Sequence, residues 1–170
     1  MKITVIGAGN MGAAFVKQFT RAGHQVSVTA RDAAKAAQVA AANPGAKAVP
    51  AAGSAEGADA VVLATGYADA AAALRGAGNL AGKVVIDITN PLSADYMSLT
   101  LDHSNSAAEE IAKAVPGAEI VKAFNTVFAQ VLAEGADFGA GRKVTVFVAS
   151  DSERAKQTAT TLAQSLGFEV

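Results

Sequence analysis

Apolar positions along the chain switch repeatedly between two spacings. Residues 3 to 6 form a short, β-branched apolar run, which predicts a buried strand. Ala13, Ala14, Phe15, Val16 and Phe19 then recur at helical spacing. They predict a helix from about Met11 to Arg21, stopped at Ala22-Gly23. His24–Thr29 reads as the second strand. Residues 33 to 42 read as an alanine-rich helix ended by Asn43-Pro44-Gly45. Ala48–Pro50 reads as a short edge strand, and Ser54–Glu56 as a brief helical turn. Ala60–Ala64 is continuously apolar, as a central parallel strand should be. A helix from about Ala68 to Leu74 follows, and then the strand and exit loop Lys83–Pro91.

The second half repeats the pattern. Ser106-x-x-Glu109 has the spacing of a capping box for a helix ending near Val115. Glu119–Thr126 is a sixth strand with its loop, and a helical piece spans Phe128 to Ala133. A glycine-rich connector, Gly135–Gly141, precedes a seventh strand at Lys143–Ala149. Asp151-Ser152-x-Arg154 opens a last helix through Leu166, and Gly167–Val170 begins an eighth strand. Strands alternating with helices imply an α/β fold. The expected form is a doubly wound, mainly parallel sheet of about eight strands with helices on both faces. No repeat or long linker divides the chain, so residues 1–170 are expected to form one domain. Residues 1–125 are its core, and 126–170 extend the same sheet.

The first strand-to-helix turn reads Gly7-Ala8-Gly9-Asn10-Met11-Gly12, a G-x-G-x-x-G pattern. Flanked by a strand and a helix, these glycines match a pyrophosphate-binding turn. Gly7 permits the tight turn, Gly9 leaves room for a phosphate, and Gly12 lets the helix pack closely. The helix N-terminus adds unpaired N–H groups and a partial positive charge. A glycine-rich turn in some other βαβ unit is the competing reading.

At the end of the second strand, an NAD-preferring domain usually has an acid for the ribose hydroxyls. This chain has Ala30-Arg31-Asp32, with Lys35 one turn later. Arg31 can pair with a 2′-phosphate, Lys35 can add charge, and Asp32 suits a helix cap. The same residues also suit an ordinary solvated helix start. Thr65, Gly66 and Tyr67 follow the fourth strand, and Asn90-Pro91 the fifth. Ligands of open α/β sheets bind beyond such carboxyl ends, so both groups are candidate contacts. Residues 92–106 are polar and irregular, and read either as a plain surface loop or as a lid or partner surface.

Composition narrows the classes. Hydrophobic residues make up 51% of 170 and charged residues 17%, which excludes disorder. A net charge of -1 offers nothing to nucleic acid or to an anionic membrane surface. The absence of cysteine excludes disulfides and thiolate metal sites and fits a reducing cytoplasm. Two histidines are too few for a histidine-rich metal site. His24, at a loop-to-strand step, reads as structural. His103 reads as a solvated loop histidine or a proton donor. No apolar run reaches the roughly 18 residues that a membrane span needs. The apolar fraction and the unfinished last strand favour a homodimer.

The glycine turn, Arg31, Asp87-Ile-Thr-Asn-Pro91 and Lys122-Ala-Phe-Asn-Thr126 together resemble the NADPH-dependent coenzyme F-420 reductases. They are also similar to the cytosolic reductase domain of the six-transmembrane metalloreductases. The resemblance implies a Rossmann domain that binds NADP and passes hydride to a deazaflavin or flavin. It places Gly9, Asn10 and Met11 under the pyrophosphate, and Ala30, Arg31 and Lys35 around the 2′-phosphate. Ala64 and Thr65 would meet the nicotinamide ribose. Asn90, Pro91, Ala123, Phe124 and Asn125 would border the nicotinamide and the acceptor. Ala30 replaces the family's usual serine, and Thr65-Gly66 replaces its common Val-Pro. The family continues into a C-terminal segment that this chain is expected to lack. Hydride transfer of this kind requires no general base, and no catalytic residue stands out. A non-catalytic dinucleotide-binding module, a redox sensor or a truncated reductase is the alternative. An imine or hydroxy-acid dehydrogenase would need a second domain, which a dimer could supply.

Overall fold

The computed structural model describes residues 1–170. Its seven strands are β1 (Lys2–Ile6), β2 (Gln25–Thr29), β3 (Ala46–Ala48), β4 (Ala60–Leu63), β5 (Val84–Asp87), β6 (Glu119–Ala123) and β7 (Val148–Ala149). They form one sheet in the order β3-β2-β1-β4-β5-β6-β7. All neighbours are parallel except β6 and β7. The chain winds outward from β1 in one direction and from β4 in the other. The switch point between β1 and β4 opens a crevice at the carboxyl edge. This is the expected Rossmann-type, doubly wound arrangement.

The helices are α1 (Asn10–Arg21), α2 (Ala33–Ala41), α3 (Tyr67–Gly76), α4 (Ala107–Ala114), α5 (Ala129–Glu134) and α6 (Glu153–Ser165). Strand side chains alternate between two cores. Ile3 and Val5 of β1, Ala60 and Val62 of β4, and Val84 and Ile86 of β5 pack into one core with α1 and α6. Ile6, Val61, Leu63 and Val85 pack into the other with α3 and α4. Thr4, polar and buried in mid-strand, donates to Ser54 O at 2.7 Å. Ser106 and Glu109 make the expected capping box on α4, and Ser152 caps α6.

Two strand expectations need correction. The third strand lies at Ala46–Ala48, before the expected Ala48–Pro50. Val49 N–H still reaches Val28 O at 3.0 Å, but Pro50 has no N–H to continue the ladder. The sheet has seven strands, because Lys143–Ala149 divides its pairing among several partners. Val144 N–H donates to Ala136 O, Val146 N–H to Glu169 O, and only Val148–Ala149 joins β6. The expected eighth strand is thereby reduced to a single Thr145–Glu169 bridge.

Aromatic rings tie the first core across the sequence. Phe15 stacks on Phe19 at 5.4 Å and meets Phe124 edge-on at 5.0 Å. Phe124 meets Phe168 at 5.8 Å. His24 closes the row against Phe19 at 5.7 Å, and its Nε2 lies 2.9 Å from Ser165 Oγ. This is the structural role expected for His24. Burial holds its imidazole below the ordinary pKa of 6.5. The unfolded chain therefore takes up this proton at a higher pH than the folded one. The His24 contribution should be full above pH 6.5 and be lost as the pH falls through the lower folded-state value. Thermal unfolding followed from neutral to mildly acidic pH checks this. His24→Gln should lose less stability over that range than the wild type.

Candidate functional site

The β1–α1 turn is held by backbone contacts that leave no room for a Cβ. Gly7 has φ +122°, and its N–H donates to Thr29 O at 2.8 Å. A Cβ on Gly7 would lie 2.2 Å from Ala64 O, and one on Gly12 would lie 1.9 Å from Gly7 O. Gly9 differs: a Cβ there would meet nothing within 4 Å. Gly7 and Gly12 are thus glycines for packing, whereas the space beside Gly9 is open. No side chain caps α1, and its first turn holds no acid. Its leading N–H groups have no partner within the helix, and the positive end of its dipole is uncompensated.

Beside this turn lies a cleft of about 470 Å³, bounded by the ends of β1, β2 and β4 and by α3. It gathers Gly7, Ala8 and Gly9 with Ala30, Arg31 and Lys35, and with Ala64, Thr65 and Gly66. Thr29 Oγ1 is buried in its lining without a hydrogen-bond partner. Asp32 serves as the expected helix cap, its Oδ1 accepting from the Ala34 and Lys35 N–H groups at 3.0 and 3.3 Å. Arg31 is almost fully exposed, and its Nη1 lies 3.5 Å from Asp69 Oδ1. Two larger grooves, of about 730 and 1060 Å³, lie elsewhere. Neither takes in Gly7, Gly9, Arg31 or Lys35.

The remaining predicted residues lie outside this cleft. Met11 is half-buried against the first core, Gly12 is buried, and the Asn10 side chain lines the 730 Å³ groove. Asn90 and Asn125 meet beyond β5 and β6. Asn90 Nδ2 donates to Asn125 O at 2.9 Å, and Asn125 Nδ2 to Asn90 Oδ1 at 3.3 Å. Pro91 is half-buried beside them. Ala123 is buried, and the Phe124 ring points into the first core, so Phe124 can contribute only backbone at this edge. It takes φ +60°, a left-handed conformation that costs a β-carbon residue about 1–2 kcal/mol. The buried ring holds it there. Tyr67 packs against the second core, outside the cleft, and burial raises its phenol pKa. His103 is exposed on the 92–106 loop.

Two features carry no expectation from the sequence as site residues. Lys122 Nζ donates to Asp87 Oδ2 at 2.9 Å and to Thr89 O, beneath the Asn90–Asn125 pair. Asp87 is fully buried. Charged residues closing the apolar runs Val84–Asp87 and Glu119–Ala123 were the available signal, since such charges must pair. Asp69 is the other. An acid in a first helical turn already complements the helix dipole, so its sequence position carries no distinct signal.

The sequence pattern of the family described as NADP oxidoreductase, coenzyme F420-dependent, matches residues 2–91. The chain belongs to this family. The match takes in the glycine turn, Arg31, Lys35 and Asn90-Pro91, while Asn125 lies beyond it. Metalloreductase STEAP3 of Rattus norvegicus is 35% identical over 92 residues, which cover 54% of this chain. The chain spans only 17% of the length of that curated relative. Among solved structures, a candidate F420-dependent NADP reductase from Arthrobacter sp. FB24 is 34% identical with a TM-score of 0.86. The match covers 99% of this chain and 82% of that one. Hypothetical protein SMa0349 from Sinorhizobium meliloti is 30% identical with a TM-score of 0.89, at the same coverage. An imine reductase from Streptomyces aurantiacus, 20% identical with a TM-score of 0.72, covers 99% of this chain and 54% of its own. That likeness shows a shared fold.

Two variant sets follow for this member of the family. Gly12→Ala should destabilise the fold by about 1–3 kcal/mol or more, since its Cβ meets backbone. Gly9→Ala should stay within about 0.5 kcal/mol of wild type. Urea unfolding compares them, and equal losses would remove the distinction. Lys122→Met, which leaves Asp87 buried and unpaired, should cost about 3–5 kcal/mol in the same assay.

Proposed function

We propose that this chain binds NADPH along the carboxyl edge of the sheet and transfers hydride between it and a deazaflavin or flavin acceptor. The carrying observation is one cleft that joins the uncapped N-terminus of α1 to two cations, Arg31 and Lys35. A pyrophosphate suits the first feature and a 2′-phosphate the second. The unpartnered Thr29 hydroxyl and the open space beside Gly9 fit a cradle completed by a ligand. The family's description as NADP oxidoreductases supports the same cofactor. The likeness to the Arthrobacter protein, a candidate F420-dependent NADP reductase, supports the same class of acceptor.

In this reading, Gly9, Asn10 and Met11 present backbone N–H groups to the pyrophosphate. Ala30, Arg31 and Lys35 surround the 2′-phosphate, and Ala64, Thr65 and Gly66 meet the nicotinamide ribose. Asn90 and Asn125 brace each other where nicotinamide and acceptor would meet, with Pro91 and the 123–124 backbone alongside. NADPH, when bound, supplies the hydride. The protein orients both partners and excludes water, which lowers the barrier without a general base. We take the working form to be a cytoplasmic homodimer. The lack of cysteine suits a reducing compartment, and Tyr96, Met97 and Phe128 leave apolar surface for a second copy.

Fluorescence titration with NADPH and NADH, followed by addition of a flavin or a deazaflavin, tests this. NADPH should bind more tightly and be oxidised only when an acceptor is present. Arg31→Ala should weaken NADPH by roughly 10- to 100-fold and leave NADH nearly unchanged. Tight binding with no oxidation by either acceptor would assign the chain to dinucleotide binding alone.

A further inference from the structure

Arg31 and Lys35 are not the only charges at the cleft mouth. Asp32 and Asp69 also line it, so two cations face two carboxylates. Asp32 is engaged by two backbone N–H groups of α2. Asp69 reaches across from α3, on the opposite wall, and is the only carboxylate paired with Arg31. Lys35 has no ion-pair partner. The Arg31–Asp69 contact is single, and at 3.5 Å it is longer than a charge-assisted hydrogen bond. The side chains are 90% and 59% exposed. Such a contact attracts the guanidinium without fixing its geometry. It therefore contributes little to presenting Arg31 in a binding orientation. It does hold an anion in the space that an anionic ligand of Arg31 must approach.

We propose that Asp69 is a specificity-determining residue that competes with the 2′-phosphate for Arg31. The inference rests on the NADPH reading above and goes beyond it. In the free protein Asp69 neutralises Arg31 across the cleft. A 2′-phosphate on Arg31 displaces that contact and meets the repulsion of the released carboxylate. A dinucleotide ending in a ribose hydroxyl meets neither effect. Asp69 thus lowers NADPH affinity selectively, most strongly at low ionic strength where its charge is least screened, which favours release of the phosphorylated cofactor.

The test is equilibrium binding of NADPH and NADH to the full chain, at low ionic strength and near 0.15 M. Asp69→Asn should tighten NADPH about three- to tenfold at low ionic strength and NADH less than about twofold. The NADPH gain should shrink at the higher salt. Asp69→Glu, which keeps the charge, should bind NADPH within about twofold of wild type. Asp69→Ser provides a second neutral variant, and thermal unfolding confirms that each is folded. If the wild type prefers NADPH and Arg31→Ala abolishes that preference, the cofactor reading stands. In that case, unchanged or weaker NADPH binding in both neutral variants overturns the role of Asp69 alone. If the wild type shows no preference for NADPH, the cofactor reading fails and the proposal with it.

Discussion

The close approach of three backbone segments governs this structure. Gly12 rests against the carbonyl of Gly7, and Gly7 rests against the carbonyl of Ala64. No residue with a β-carbon fits either position as the backbone stands. Because α1 comes so near the ends of β1 and β4, its first turn opens directly onto the switch-point crevice. The helix dipole and its free N–H groups are then aimed by the fold itself. The cations at the end of β2 fall on the same cleft, because β2 lies next to β1 and Gly7 donates to Thr29.

Much of this was legible in the sequence, and the reasons are local. The run at residues 3–6, the glycine spacing and the helical apolar pattern after it agree on one strand-turn-helix unit. Asp32 and the Ser106–Glu109 box declare helix starts through side-chain chemistry that acts within three residues. Less legible were features that depend on a distant partner. Lys143–Ala149 alternates like a strand, yet its bonds are shared with Ala136, Glu169 and β6, which sequence spacing cannot assign. Phe124 belongs to a motif that looks like site lining. Its ring is instead taken by Phe15 and Phe168, which lie far away in sequence on either side.

The charges divide the same way. At the carboxyl edge, Asp87 and Lys122 sit in register on adjacent strands, and one needs the other because Asp87 has no access to water. Their pairing secures the ends of β5 and β6, from which Asn90 and Asn125 extend. At the cleft mouth the charges are solvated and loosely paired. Buried charge here holds geometry, whereas exposed charge remains able to change partners.

The row of rings from His24 through Phe19, Phe15 and Phe124 to Phe168 spans nearly the whole sequence. It joins the first helix to the segment after β6 that carries Asn125 and to the last residues of the chain. A ring lost at one end exposes its neighbours to water, so the two halves of the sheet cannot melt independently. The chain should therefore open as one cooperative unit, with the slowest-exchanging amides of α1 and β6 losing protection together.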